Sequence, residues 1–88
     1  MKLKNDFMVT ELGDERILVP VGQAGMELRG VIRLNHTAAF IIDCLKENTE
    51  MEKIADALTG EYEVDRQTAE IHVKNLLDQL RELGALEE

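Results

Sequence analysis

The chain has 88 residues, of which 44% are hydrophobic and 32% charged, and its formal net charge is −8. A chain of this length builds one modest core, so we expect residues 1–88 to form a single domain without a deep enclosed active site. Residues 35–88 hold five basic and thirteen acidic side chains, whereas residues 1–34 hold five of each. Because the C-terminal part is this acidic, it repels phosphate backbones, which argues against a nucleic-acid partner.

The N-terminal residues and the cysteine content bear on the compartment. The stretch MKLKNDFMVT lacks the apolar centre of a signal peptide, and no segment approaches the roughly 20 apolar residues of a membrane helix. Cys44 is the only cysteine, which excludes an internal disulfide and a cysteine zinc cluster. We therefore predict a cytoplasmic protein with no membrane partner.

The first two predicted strands form a hairpin. They are FMVTEL at residues 7–12 and RILVPV at residues 16–21. Between them lie Gly13 and Asp14, whose residue types suit a tight turn. Pro20 lacks a backbone donor, so it predicts an edge, a bulge or the end of the second strand.

The third predicted strand, Met26 to Leu34, has apolar side chains at alternate positions, the pattern of a half-buried strand. Its other face carries Arg29 and Arg33 on either side of Val31. Gly30 falls on the inward face, where a missing side chain allows a bulge or a close approach by another element. A sheet of three strands has two edges, and one of them is a candidate docking site.

Apolar spacing changes to that of helices after the third strand. The first predicted helix runs from about Asn35 to Lys46, and Asn35 or Thr37 can cap its first turn. Thr49 and Glu52 have the spacing of a capping box, which predicts the start of the second helix, MEKIADALTGEY.

The third predicted helix is the longest. Asp65 caps it, and it runs to about Leu83, before Gly84, a residue type that stops helices. Ile71 lies about 180° from the apolar stripe of this helix. Its side chain is either simply exposed or a contact for a partner. Strands followed by helices with short connections predict an α+β domain, here of winged-helix type, in which a three-stranded antiparallel sheet precedes three helices.

The sequence offers no catalytic constellation. We interpret Cys44, between apolar neighbours on the first helix, as a packed thiol rather than a nucleophile. His36 is interpreted as a surface or capping residue, whereas His72 beside the core stripe could pair with Glu70, Asn75 or a partner's carboxylate. Metal-binding spacings and a phosphate-binding glycine loop are missing. We therefore predict a protein that is not an enzyme and needs no cofactor.

Recognition by the third strand is the remaining function. An edge strand presents unpaired amide and carbonyl groups, to which an extended peptide adds as the next strand. Arg29 and Arg33 around Val31 would favour a peptide with acidic and apolar residues. Alternatively, the two arginines only protect the edge against aggregation. Composition leaves both interpretations open.

Three segments in this order resemble the PqqD family: RGVIRLNHTAAFI, then TEMEKIADAL, then YEVDRQTAEIHVKNLLDQLRELGAL. The resemblance covers residues 7–86, and its most telling parts are the Leu34-Asn35 pair that closes the strand and the Val64-Asp65 pair that opens the last helix. It implies three strands and three helices of winged-helix type. It also implies a non-catalytic protein that binds the leader segment of a ribosomally made precursor peptide and presents it to a modifying enzyme, often a radical S-adenosylmethionine protein.

By this resemblance, the leader lies along the third strand and against the last helix. The implied peptide-binding residues are Leu28, Arg29, Gly30, Val31, Ile32 and Arg33 on the strand, with Thr68, His72, Asn75 and Gln79 on the helix. Glu70 and Lys74, on the opposite flank of that helix, are the alternative set. Many relatives carry an acidic residue where His72 stands, so this departure leaves the peptide specificity open.

Two other functions compete with peptide binding. A winged-helix DNA-binding protein normally has a basic recognition helix, whereas residues 65–83 hold three basic and four acidic side chains. An orphan scaffold, or a homodimer formed through the same sheet edge, would need no peptide substrate.

Overall fold

The computed structural model describes residues 1–22 and 31–88, and these form strands at both ends and three helices between them. The elements in chain order are β1 (Lys2–Leu3), β2 (Phe7–Leu12), β3 (Glu15–Pro20), β4 (Ile32–Leu34), α1 (His36–Cys44), α2 (Met51–Glu61), α3 (Arg66–Glu82) and β5 (Leu86–Glu87). The predicted α+β fold, a three-stranded antiparallel sheet followed by three helices, is confirmed. Of the predicted third strand, residues 26–30 lie outside the described residues.

The hairpin of β2 and β3 matches the prediction. The two strands pair from Phe7 opposite Pro20 to Leu12 opposite Glu15. Gly13 in the turn has a φ of 62°, a conformation that glycine adopts without steric cost. β3 ends at Pro20, so this proline marks the end of its strand.

β4 is an edge strand of the sheet, whose order is β2-β3-β4. It pairs with β3 through Ile17 opposite Arg33 and Leu18 opposite Ile32. Its side chains alternate as predicted, because Arg33 is exposed and Leu34 is buried. Among the described strands, none pairs with the outer side of β4, so this side is open to a further strand.

β1 and β5 are not predicted by the sequence pattern. They pair antiparallel, with Leu3 opposite Leu86, and both leucines belong to the core. The amide of Leu3 also donates to the carbonyl of Leu45, at 2.8 Å. These contacts hold the N-terminal segment against the end of α1 and against the segment that follows α3.

Side chains cap two of the three described helices. The Asn35 side chain accepts a hydrogen bond from the amide of Ala38 at 2.8 Å, so Asn35, and not Thr37, is the cap of α1. Asp65 accepts from the amide of Thr68 at 2.6 Å. This bond lowers the pKa of the Asp65 carboxyl, since it favours the ionised form. A group whose pKa is lower in the folded state than in the unfolded state stabilises the fold when it is ionised. The contribution of this cap is therefore present at a pH above the ordinary pKa of an aspartate, and it is lost as the pH falls through the lowered pKa.

The capping box predicted at Thr49 is wrong. α2 begins after Glu50, which makes no capping hydrogen bond with its side chain. The backbone of Thr49 is instead bound to Met1: its amide donates to the Met1 carbonyl at 2.9 Å, and the N-terminal ammonium donates to its carbonyl at 2.8 Å. These bonds keep Thr49 outside the helix.

Replacing Asn35 with alanine is expected to lower the free energy of unfolding by about 0.5–2 kcal/mol, because the first turn of α1 loses its cap. Urea unfolding monitored by circular dichroism measures the change. Thr37→Ala is the control, since Thr37 does not cap the helix. Equal losses for the two variants would contradict the assignment of Asn35 as the cap.

The core joins the three helices to the inner face of the sheet. α3 contributes the predicted stripe, whereas Ile71 is 54% exposed, also as predicted. None of the described helices is long and apolar enough to cross a membrane. The buried residues are Leu3, Phe7, Leu18, Leu34, Ala39, Ile41, Ile42, Leu45, Ile54, Ala55, Leu58, Ala69, Val73, Leu76, Leu77, Leu80, Ala85 and Leu86.

Candidate functional site

A groove of about 170 Å³ lies between β4, the first turns of α1 and one face of α3. We call it the β4–α3 groove. Because β4 is an edge strand, the groove runs beside backbone amide and carbonyl groups that pair with none of the described strands. It is therefore the place where the open sheet edge and a helix face meet.

Half of the residues implied by the family resemblance come together in this groove. They are Ile32, Arg33, His72, Asn75 and Gln79. The last three share one face of α3 because residues three and four positions apart are neighbours on a helix. Asn75 and Gln79 offer amide donors and acceptors, and His72 offers ring nitrogens. The rim of the groove can thus hydrogen-bond an extended backbone.

The other implied residues are placed differently. Val31 is 59% exposed beside β4, and it does not line the groove. Thr68 is exposed in the first turn of α3, where its amide binds Asp65. Leu28, Arg29 and Gly30 lie outside the described residues.

Five residues that the sequence pattern did not assign to the groove also line it. They are Asn35, Thr37, Ala38, Ile41 and Leu76. Ile41 and Leu76 are buried and make the bottom of the groove apolar. Asn35, Ala38 and Ile41 follow one another at a spacing of three along α1, so their helical periodicity was a usable signal.

The alternative set on α3 lies away from the groove. The Glu70 carboxylate accepts a hydrogen bond from Arg66 at 2.9 Å. The Lys74 ammonium is 3.1 Å from the Asp78 carboxylate. Both pairs are exposed contacts along the helix and contribute little to stability. Neither Glu70 nor Lys74 lines the β4–α3 groove.

Among the residues that the structure describes, Arg33 has one carboxylate neighbour. Its guanidinium is 3.7 Å from the Glu15 carboxylate, and its side chain is 79% exposed. A pair at this distance in water is weak, so Arg33 can exchange Glu15 for an acidic group of a ligand at little cost. The sequence did not predict this pair, because it depends on the register between β3 and β4.

The described residues do not assemble a metal site, since no group of three or more His, Cys, Asp or Glu side chains in them could hold an ion. Cys44 is partly buried. Burial, and secondarily the charge of Asp43, raises the pKa of its thiol. A thiol with a raised pKa stays protonated at neutral pH and is a poor nucleophile. Cys44 also packs against the core, which agrees with its interpretation as a partly packed thiol.

Comparison with known proteins gives a family and two similar structures. Residues 15–86 match the family model described as "Coenzyme PQQ synthesis protein D (PqqD)". A comparison with curated proteins gave no match. The solved structure "TbiB1 in Complex with the TbiA(beta) Leader Peptide" has a TM-score of 0.76 and 30% sequence identity, over 99% of this chain and 95% of that one.

A second solved structure, "Lasso peptide synthetase B1 complexed with the leader peptide", has a TM-score of 0.73 and 30% identity. The alignment covers 99% of this chain and 96% of that one. Each neighbour thus shares the fold over nearly its whole length. Because the family model matches most of the chain, this protein belongs to the PqqD family.

Proposed function

We propose that this protein is a non-catalytic recognition element, which binds the leader segment of a ribosomally made precursor peptide and presents it to a modifying enzyme. The observation that carries the proposal is the open outer side of β4 next to the face of α3 that bears His72, Asn75 and Gln79. Both similar solved structures are complexes with a leader peptide, which supports the same class of ligand here.

Strand addition explains how such a shallow groove could hold a peptide. The leader would extend the sheet beyond β4 and place alternate side chains toward α3 and away from it. Each added strand hydrogen bond contributes about 0.5–1.5 kcal/mol net. Apolar leader side chains would pack on Ile41 and Leu76, and acidic ones would approach Arg33. Charge complementarity of this kind raises the on-rate and the selectivity more than the affinity.

The proposed contact surface extends beyond the groove. Thr68 occupies the same face of α3 as His72 and Asn75, one turn nearer the start of the helix, so a longer leader would reach it. Leu28, Arg29 and Gly30 stay in the proposal on the strength of the sequence alone. The proposed binding unit is a single domain.

The partner of the loaded complex would be a modifying enzyme, such as a radical S-adenosylmethionine protein, in the cytoplasm. The family description, which refers to the synthesis of a coenzyme, supports a biosynthetic role. A homodimer joined through β4 would use the same backbone groups as the leader, so the peptide and a second copy would compete. DNA binding has less support, because Glu70, Asp78 and Glu82 add acidic groups to α3.

The proposal is tested by titrating the ¹⁵N-labelled protein with the leader of a precursor peptide encoded beside its gene. Amide shifts are expected to cluster at residues 31–34 and 72–79. Shifts confined to other surfaces, or no shifts at millimolar leader, would contradict leader binding at this groove.

Reversing the charge of Arg33 is expected to weaken leader binding about fivefold at low salt, because an exposed attraction becomes a repulsion. The difference should shrink at high salt as screening increases. Thermal stability should stay nearly constant, since the Glu15 contact is weak. Lys53→Glu is the control, because it makes the same change of charge on α2. Equal affinities of Arg33→Glu and the unaltered protein would remove Arg33 from the site.

A further inference from the structure

A second and larger groove, of about 390 Å³, lies at the opposite edge of the sheet from the β4–α3 groove, between β2, residues 2–5 and the end of α1. We call it the β2 groove. Phe7, Val9 and Ile42 form its apolar wall, and the neighbouring Met8 is 50% exposed. β2 is the other terminal strand of the three-stranded sheet, and none of the described strands pairs with its outer side. The groove therefore combines an apolar surface with strand hydrogen-bonding groups.

Three lysines surround the β2 groove. They are Lys2, Lys4 and Lys46, out of five lysines in a chain whose net charge is −8. Lys46 has an exposed partner, Asp43, at 3.2 Å. The ion pairs within residues 1–22 and 31–88 include neither Lys2 nor Lys4. Positive charge is thus gathered at this groove of an otherwise acidic chain.

We propose that the β2 groove docks an acidic, extended segment with apolar side chains that belongs to the modifying enzyme. This inference rests on the proposed function, since it assumes that the enzyme and the leader are held together. Apolar side chains of the segment would pack on Phe7 and Val9, its carboxylates would face the lysines, and its backbone would add to β2.

The geometry of the sheet allows both ligands to bind together. β2 and β4 are separated by one strand, so their axes lie about 10 Å apart, and their open sides face in opposite directions. A leader on β4 would therefore leave the β2 groove free. In this arrangement the domain joins the leader to the enzyme through the two margins of one sheet.

Lysines on an edge strand also discourage aggregation, and the experiment separates that role from docking. The probe is a short acetylated peptide of alternating glutamate and valine, and its counterpart has lysine in place of glutamate. The acidic peptide is expected to shift the amides of residues 4–9 and 46 in the ¹⁵N-labelled protein, whereas the basic peptide is not. The modifying enzyme encoded beside the gene should displace the acidic peptide.

The variant Lys4→Glu/Lys46→Glu is expected to weaken acidic-peptide binding about tenfold at low salt, because two exposed attractions become repulsions. The matched control is Lys53→Glu/Lys74→Glu, which makes the same change of net charge at exposed sites outside the groove. The control should bind the acidic peptide as the unaltered protein does. Equal weakening by both variants would reduce the effect to net charge and overturn the proposal.

Other outcomes are equally decisive. Acidic-peptide shifts only at residues 31–34 and 72–79 would place the acidic segment at β4 and overturn the inference. Concentration-dependent shifts of residues 4–9 without any peptide would assign the groove to a second copy of the chain, which also overturns it. Leader binding is measured on the same Lys4→Glu/Lys46→Glu variant. Retained leader binding together with lost acidic-peptide binding supports the inference, whereas failure of leader binding in the unaltered protein counts only against the proposed function.

Discussion

Replacing Asn75 with tryptophan is expected to lower the affinity for the leader about a hundredfold. The indole would fill the β4–α3 groove, whose volume is about 170 Å³, and would keep the leader from approaching β4. Loss of two to four strand hydrogen bonds and the apolar contacts beneath them amounts to about 2–3 kcal/mol, which corresponds to about two orders of magnitude in affinity. Titration calorimetry or fluorescence anisotropy with a labelled leader measures the change.

Lys74→Trp is the matched control for this experiment. Lys74 is exposed on the same helix, but it does not line the groove. Binding by this variant should equal that of the unaltered protein. If Lys74→Trp abolishes binding and Asn75→Trp does not, the leader uses the alternative flank of α3, with Glu70 and Lys74. The pair of variants therefore decides which face of the helix meets the peptide.

Truncating Leu77 to alanine is expected to lower the free energy of unfolding by about 2–5 kcal/mol. Leu77 has no exposed surface, so the change removes buried methyl groups and leaves a cavity at the centre of α3. Small domains are stable by only about 5–15 kcal/mol, and this loss is therefore a large part of the total. Urea unfolding monitored by circular dichroism measures it.

Ile71→Ala serves as the control for Leu77→Ala and also tests an open question about Ile71. Ile71 is on the same helix but more than half exposed, so its truncation should change the free energy of unfolding by less than about 0.5 kcal/mol. If Ile71 instead contacts a second copy, the variant would change the sedimentation coefficient at high protein concentration. A large loss of stability in Ile71→Ala would contradict its position outside the core.

Local patterns predicted most of the fold. The alternation in residues 31–34 gave the faces of β4, and the apolar stripe gave the buried side of α3. The side chains of Asn35 and Asp65 act on amides only three residues away, so their role can be read from a short segment. Such interactions involve only residues that are close in sequence, so the right residue types at the right spacing are enough to predict them.

Long-range contacts were the part that the sequence pattern could not supply. β1 and β5 have two residues each, too few for a periodic signal, and their pairing joins opposite ends of the described chain. The wrong prediction of a capping box at Thr49 has the same cause, because the backbone of Thr49 is bound to Met1, which is far away in sequence. The sequence pattern did not place Ala38 and Ile41 in the groove, since their contact with β4 and α3 depends on how the elements pack.

The pairing of β1 with β5 couples the stability of the chain ends to the β2 groove. Lys2 lies in β1 itself, and the amide of Lys4 donates to the carbonyl of Ala85 at 2.8 Å. Fraying of this terminal ladder would carry two ammonium groups away from the groove while the helices stay folded, because peripheral segments open with a lower free energy than the core does. Hydrogen exchange at Leu3 and Lys4 would then report how often the groove is complete.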